Sequence, residues 1–282
     1  MTVEEAQRLV RSLRRQFLLA SVARGGLLAL IGVGMLGSFW QVQPGGALDL
    51  LWPAAMLAAV AWGALTVFSV RQVQAANQAS AYIASGRLDL AEEQLKTAMR
   101  QFSLYENGKL LACHNLAVVA HGRKSFQAAA ELCDGVIAIR KGRRLGIGHT
   151  CRILLADARL SLGDTVSALR AIEPLSLRDA DLSLAEQLLL LPIDLRCRIA
   201  TEQFEEAAAA LPWKVRRAEL LDAPRAALAH ELLAMACRRT GRAEAAGFLH
   251  RRAVLYHDLD ELAADYPVLR DSAPSATSAD NL

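Results

Sequence analysis

Hydrophobic positions along the chain follow two different patterns. From Gln16 to Gln43 they run almost unbroken, with Arg24 the only charge, and from Leu50 to Val70 there is no charge at all. At about 1.5 Å per helical residue and a hydrocarbon core of roughly 30 Å, each stretch is long enough to cross a bilayer. The pattern predicts two membrane helices, about 20–41 and 50–70, within a segment 16–72, preceded by a basic amphipathic segment over 1–15. Pro44-Gly45-Gly46 supplies the tight turn between them. Pro53 falls in the first turn of the second helix, where its missing N–H is tolerated.

Past residue 75 the pattern becomes periodic. Ala91, Ala129, Ala168, Ala207 and Ala246 recur at intervals of 38, 39, 39 and 39 residues. Twelve positions earlier stand Ala79, Ala117, Ala156, Leu195 and Ala234. Five positions before the first series come Gly86, Lys124, Gly163, Glu202 and Gly241, which read as turns. Three before it come Leu88, Phe126, Thr165, Phe204 and Ala243. Each unit is therefore a helix, a short turn and a second helix. Small residues at fixed points let the helices approach closely, and one such pair cannot bury its apolar face alone, so neighbours must stack.

Composition agrees with helices throughout. The chain is 53% hydrophobic but only 5% aromatic, and Ala and Leu dominate over the β-branched residues that strands favour. A net charge of +3 does not by itself imply a nucleic-acid partner. Cys113, Cys133, Cys151, Cys197 and Cys237 are odd in number and contain no CxxC pair. They read as reduced core thiols, which favours a cytosolic placement of this region.

Further features bear on the membrane reading. The arginine-bearing start could open a signal peptide, but Ser38-Phe39-Trp40 is bulky where a cleavage site needs small residues, and a second full span follows. A buried hairpin of a soluble domain is the other alternative. Five arginines precede residue 25, none lies in the hairpin loop, and Arg71 and Arg87 follow the second span, so both termini are expected in the cytoplasm. Arg24 is expected to snorkel to the interface, with Trp40 and Trp52 as aromatic anchors at the other one. Gly32, Gly34 and Gly37 match GxGxxG, yet that fingerprint needs a strand before it; here small residues for helix packing are the better explanation.

The segment Ser80–Ala98, with Tyr82, Gly86, Leu88, Ala91, Leu95 and Ala98, resembles a tetratricopeptide repeat. Leu116-Ala117, Phe126 and Ala129 match in the second unit, and Leu155-Ala156, Gly163 and Ala168 in the third. Leu233-Ala234, Gly241, Ala246 and Ala253 match in the fifth, while the fourth, around Phe204 and Ala207, is weak. The period exceeds the family's usual 34, and Lys124 and Glu202 replace the turn glycine. The resemblance implies an all-α chain: the hairpin, then a right-handed tetratricopeptide-like α-α solenoid of about five repeats over 73–269. Ala253 to Leu269 would form a capping helix with Asp258, Asp260 and Glu261 outward, and 270–282 a disordered tail.

The same resemblance implies binding along the concave face formed by the first helix of each pair. Its positions here are Ile83, Val118, Ile153, Asp157, Leu160, Arg196, Ile199, Glu231, Met235, Arg238 and Arg239. Several of the apolar ones could instead pack between repeats, and the Lys/Asn carboxylate clamp of chaperone-binding relatives is absent. Arg140, Lys141, Arg143 and Arg144 form a basic loop that could meet anionic lipid headgroups. The histidine pairs 114/121 and 250/257 are seven apart, unlike helical metal pairs, so no metal is expected. Asp179 and Asp181 read as caps for a helix starting near Leu182. No GxSxG or P-loop occurs, and no enzyme activity or cofactor is implied.

The expectation is thus an integral membrane scaffold that binds partner proteins at the cytoplasmic face. Its Ala/Leu/Arg-rich composition suggests a GC-rich bacterial source and hence an inner membrane. Alternatives are an accessory subunit of a transport or secretion complex acting through the spans, and a nucleic-acid-responsive regulator using the basic loop.

Overall fold

A computed structural model describes residues 1–39, 51–103, 105–139, 146–176 and 181–272. The Pro44–Gly46 turn, Trp40, the side chain of Trp52, Asp179, the basic loop Arg140–Arg144 and most of the tail lie outside the described residues. Regular structure among the described residues is helical, with no strand. The chain divides into two compact units, Met1–Leu154 and Leu155–Leu282.

The first unit begins with α1 (Val3–Phe39) and α2 (Leu51–Ala84). Thr2 Oγ1 accepts the Glu5 amide at 3.3 Å at the start of α1. The expected amphipathic segment 1–15 is not separate: it is the first third of α1. Its buried stripe of Ala6, Leu13, Phe17 and Ala20 packs on α2 and on α5 (Phe126–Ile137). Helix α2 likewise continues unbroken beyond Val70, and its end forms the first helix of the first pair with α3 (Leu88–Arg100). Next, α4 (Glu106–Gly122) pairs with α5 and fills the unit's centre with Leu110, Cys113, Leu116 and Ala117.

Polar contacts tie these helices at defined heights. Asn115 Nδ2 of α4 donates to Ala76 O at 3.1 Å and to Ser80 Oγ at 3.0 Å on α2. Lys109 Nζ donates to Gln16 Oε1 on α1 and to Met99 O at 2.8 Å. Arg24, expected to snorkel to the interface, is paired with Glu106 at the start of α4. Near the chain start, Lys96 bridges Glu5 at 2.7 Å and Glu92 at 2.6 Å.

Helix–turn–helix pairs continue along the chain. After α6 (Ile147–Ser161) and α7 (Thr165–Ser176) come α8 (Leu184–Ala200), the short α9 (Phe204–Ala208) and α10 (Leu211–Ala218), then α11 (Ala223–Arg239) and α12 (Ala243–Tyr256). The same turn recurs five times. The amides of Arg87, Ser125, Asp164, Gln203 and Arg242 each donate to the carbonyl five residues back, at 2.8–2.9 Å. The preceding residues Gly86, Lys124, Gly163, Glu202 and Gly241 all have φ between +57° and +79°. This is the helix-ending bond that needs a left-handed residue. All ten small or apolar residues of the two periodic series are buried, at no more than 2% exposure.

Three expectations need correction. The fourth pair has a broken second helix: Ala210 turns left-handed (φ 52°), Pro212 opens α10, and buried Lys214 donates to Glu206 O and Ala207 O, both at 2.8 Å. Proline cannot continue the α9 ladder, and the lysine satisfies carbonyls the break leaves open. The capping segment is also not one helix. His257 is extended, Asp258 caps α13 (Leu259–Asp265) by accepting the Asp260 amide at 2.8 Å, and a 3₁₀ turn follows over Pro267–Ser272. Finally, α8 is capped by Ser183 and Glu186 in a reciprocal box, not by Asp181.

Two substitutions test this packing. A Cβ on Gly135 of α5 would lie 2.5 Å from Val10 Cγ2 of α1. Gly135→Ala should therefore cost about 1–3 kcal/mol through overpacking. In a Val10→Ala background the same change should instead gain up to about 1 kcal/mol, because alanine is the better helix former. Unfolding of the full chain in micelles measures both, and simple additivity would contradict the contact. At the recurrent turn, Glu202→Gly should stabilise by about 1 kcal/mol by removing left-handed strain; an unchanged or lower midpoint would count against strain there.

Candidate functional site

The second unit carries a cleft of about 590 Å³. Ile199, Ala200 and Glu202 at the end of α8, Phe204 of α9, and Met235, Arg238 and Arg239 of α11 form three sides. Pro267 and Val268 of the C-terminal 3₁₀ turn close the fourth. The turn is held by Leu269, which is buried in the same core as Leu195, Leu232 and Leu233. Six of the nine lining residues are apolar, and the other three are Glu202, Arg238 and Arg239. Arg239 lies over the Phe204 ring, 5.6 Å from its centroid, close enough for a cation–π contact.

Arg238 also belongs to a buried charge network. Glu231, 2% exposed, accepts from Arg238 Nη2 at 2.6 Å and lies 2.7 Å from His250 Nδ1. Arg196 pairs with Asp157 at 2.5 Å and lies 4.9 Å from the centroid of Tyr266. Burial pushes the Tyr266 hydroxyl above its usual range, and the Asp157 charge adds to this. A buried carboxylate held by an arginine and an imidazole nitrogen fixes those side chains in place and leaves little for an incoming ligand.

Of the eleven residues expected on a binding face, Ile199, Met235, Arg238 and Arg239 are brought together in this cleft. Glu231, Arg196 and Asp157 are instead engaged in ion pairs beside or below it. Ile153 is 4% exposed and packs in the core, while Ile83, Val118 and Leu160 are half-buried on α2, α4 and α6. Arg140, Lys141, Arg143 and Arg144 lie outside the described residues. Pro267 and Val268 were not legible as site residues. The available signal was an apolar Val268-Leu269 after a proline, too short to form a helix yet too apolar to stay in water.

All five cysteines are free and buried. Three gather in the first unit, where Cys151 Sγ lies 3.4 Å from His114 Nδ1. A hydrogen bond with Cys133 opposes the effect of burial on Cys151, and His114 adds its own hydrogen bond and charge, bringing the thiol down to about 6. Among the described residues no group of three or more His, Cys, Asp or Glu side chains is placed to hold a metal ion. His121 stacks edge-on against Phe126 at 5.1 Å, and His257 lies 3.5 Å from Glu261, so each histidine pair is divided between different neighbours.

No protein-family model matches this chain, and no curated protein or solved structure matches it either.

His230 of α11 is fully buried, stacked on Tyr256 with centroids 5.6 Å apart, and neither ring nitrogen has a hydrogen-bond partner. Burial first, then the nearby Arg252 charge, lowers its pKa below 6.5, while Glu219 opposes the shift. Above the unfolded value both states are neutral and the full stability is present. As pH falls through 6.5 toward the folded value, the unfolded chain gains a proton first and stability is lost. His230→Phe should keep the stack and remove this loss. Thermal unfolding of the full chain in micelles at pH 7.5 and 5.5 measures it, and an equal drop in both proteins would contradict the assignment.

Proposed function

We propose that this chain is a non-catalytic membrane-anchored adaptor. Helices α1 and α2 cross the bilayer as a hairpin, and tetratricopeptide-like helix pairs carry a cleft for a partner protein in the cytoplasm, in a bacterial inner membrane. The observation that carries the reading is the coincidence of two features in one chain. One is a pair of helices long and apolar enough to span a membrane, whose apolar faces are left uncovered. Leu19, Val22, Leu36, Leu57 and Val60 are each 61–73% exposed, which a water-facing helix does not sustain over this length. The other is the cleft of α8, α9 and α11, lined mostly by apolar side chains together with two arginines.

The recurrent turn and the buried small residues support the solenoid reading. Each pair ends its first helix with one backbone device and closes on one alanine position. Such pairs need neighbours to cover their remaining apolar surface. In the cleft, among the described residues, no carboxylate pairs with Arg239. The chemistry therefore fits a peptide segment with an apolar side chain on Met235 and Ile199 and a carboxylate at Arg239. Apolar anchors in a desolvated pocket supply most of such an affinity, and the charge sets register.

A second reading places the main interaction inside the bilayer. Gly25, Gly26, Gly32 and Gly63 have nothing within 4 Å of where a Cβ would stand. These glycines are therefore not needed for contacts within this chain, and they leave room for a helix of another membrane protein.

Photo-crosslinking in the native membrane distinguishes the two. A photoreactive phenylalanine at position 235 should give a discrete adduct that Arg239→Glu removes, while the same probe at the outward position 255 should not. Absence of the 235 adduct, with adducts from position 32 or 63 instead, would favour the intrabilayer reading. Release of the protein by alkaline carbonate would overturn both.

A further inference from the structure

The short link between α3 and α4 is fastened to both long helices through its described residues. Met99 O accepts from Gln16 Nε2 of α1 at 3.4 Å, and Phe102 O accepts from Gln72 Nε2 of α2 at 2.8 Å. Ser103 Oγ then donates to Tyr105 O at 2.9 Å and accepts from its amide at 3.2 Å. The next residue, Glu106, is the partner of Arg24 on α1. The turn is thus anchored at one end to each apolar helix.

Those anchor points coincide with the ends of the apolar surfaces. On α2, exposed Phe68 and Val70 are followed directly by Arg71 and Gln72. On α1, the exposed apolar series opens at Leu18, and Arg24 lies about 9 Å further along the axis at 1.5 Å per residue. Glu106, and with it Tyr105, therefore stands slightly past the start of the apolar zone rather than behind it. The aromatic side chains of the turn are partly exposed: Phe102 and Tyr105 are each 38% exposed. Arg100, two residues before Phe102, is exposed, as is Arg71, next to Gln72 on α2. Aromatic rings at the boundary with basic residues just outside are what a headgroup layer favours, whereas water disfavours exposed Phe in a rigidly held turn.

We propose that the α3–α4 turn is a third membrane contact, with Phe102 and Tyr105 seated among the lipid headgroups and Arg71 and Arg100 facing lipid phosphates. This rests on the reading that α1 and α2 cross the bilayer. The occupant is lipid rather than a partner protein because the turn is bonded to Gln72 and, through Glu106, to Arg24, at the edge of the exposed apolar surface of each helix. Its effect is to seat the first helix pairs on the membrane at three points.

The test uses the full chain in nanodiscs of phosphatidylcholine and phosphatidylglycerol. A genetically encoded spin-labelled residue is placed in turn at positions 28, 102, 105 and 255, and collision with oxygen is compared with collision with a water-soluble nickel complex. Position 28 should be oxygen-dominated and position 255 nickel-dominated. Positions 102 and 105 should fall between them, several-fold above 255 in the oxygen-to-nickel ratio. If 28 is deep while 102 and 105 match 255, the turn is in water and the proposal fails with the spans intact. If 102 and 105 are shielded from both agents, protein covers the turn and the proposal also fails. Nickel access at 28 would overturn the span reading itself.

Discussion

An arginine inside an apolar helix must be neutralised by something, and here Glu106 does it. The Arg24–Glu106 pair joins a helix suited to lipid with the first residue of α4, a helix suited to a protein core. Glu106 is 7% exposed, so either partner alone would leave a charge in a low-dielectric place. Loss of one member of such a pair typically costs about 3–5 kcal/mol. Around it, Lys109, Gln16 and Met99 form a second polar tie, and the Val10–Gly135 contact excludes even one extra methyl group. Burial lowers the Lys109 ammonium to about 8, so its hydrogen bonds to Gln16 and Met99 offset a desolvation cost. These interactions make α1, α2 and the first two helix pairs one packed body.

That body explains why the two long apolar helices and the helix pairs cannot be separated at residue 72. The first 24 residues are as much a part of the first unit as α5 is. Glu92 shows the same integration. Burial raises its carboxyl, but Lys96, the chain's amino group and Arg123 outweigh that and hold it below its usual value. A fragment beginning at residue 75 would lose Glu5 from Lys96 and uncover the face of α5 on which Val10 rests.

Much of the helix-pair pattern was legible from residue size alone. A buried alanine between two crossing helices tolerates little else, so its recurrence marks each pair, and the turn five residues earlier can be counted back from it. Lys124 and Glu202 do not look like turn glycines, yet they hold the same left-handed conformation because the surrounding bond pattern demands it. The docking of α1 on α5 was not legible. Gly135 and Val10 are far apart in sequence, and neither residue type announces a partner. The cleft residues on α8 and α11 were among the positions that the tetratricopeptide resemblance implied, whereas Pro267 and Val268 come from the segment after α12 that begins at an extended His257.

The central claim is that the apolar hairpin and the first helix pairs fold as one object through a charge pair at their junction. The most direct measurement is a charge-reversal cycle in the native membrane, reading trypsin resistance and urea midpoint for Arg24→Glu, Glu106→Arg and the double variant. The account predicts that each single reversal lowers both quantities and that the double reversal recovers most of the loss. Single variants indistinguishable from the parent, or a double variant no better than the sum of its parts, would contradict it.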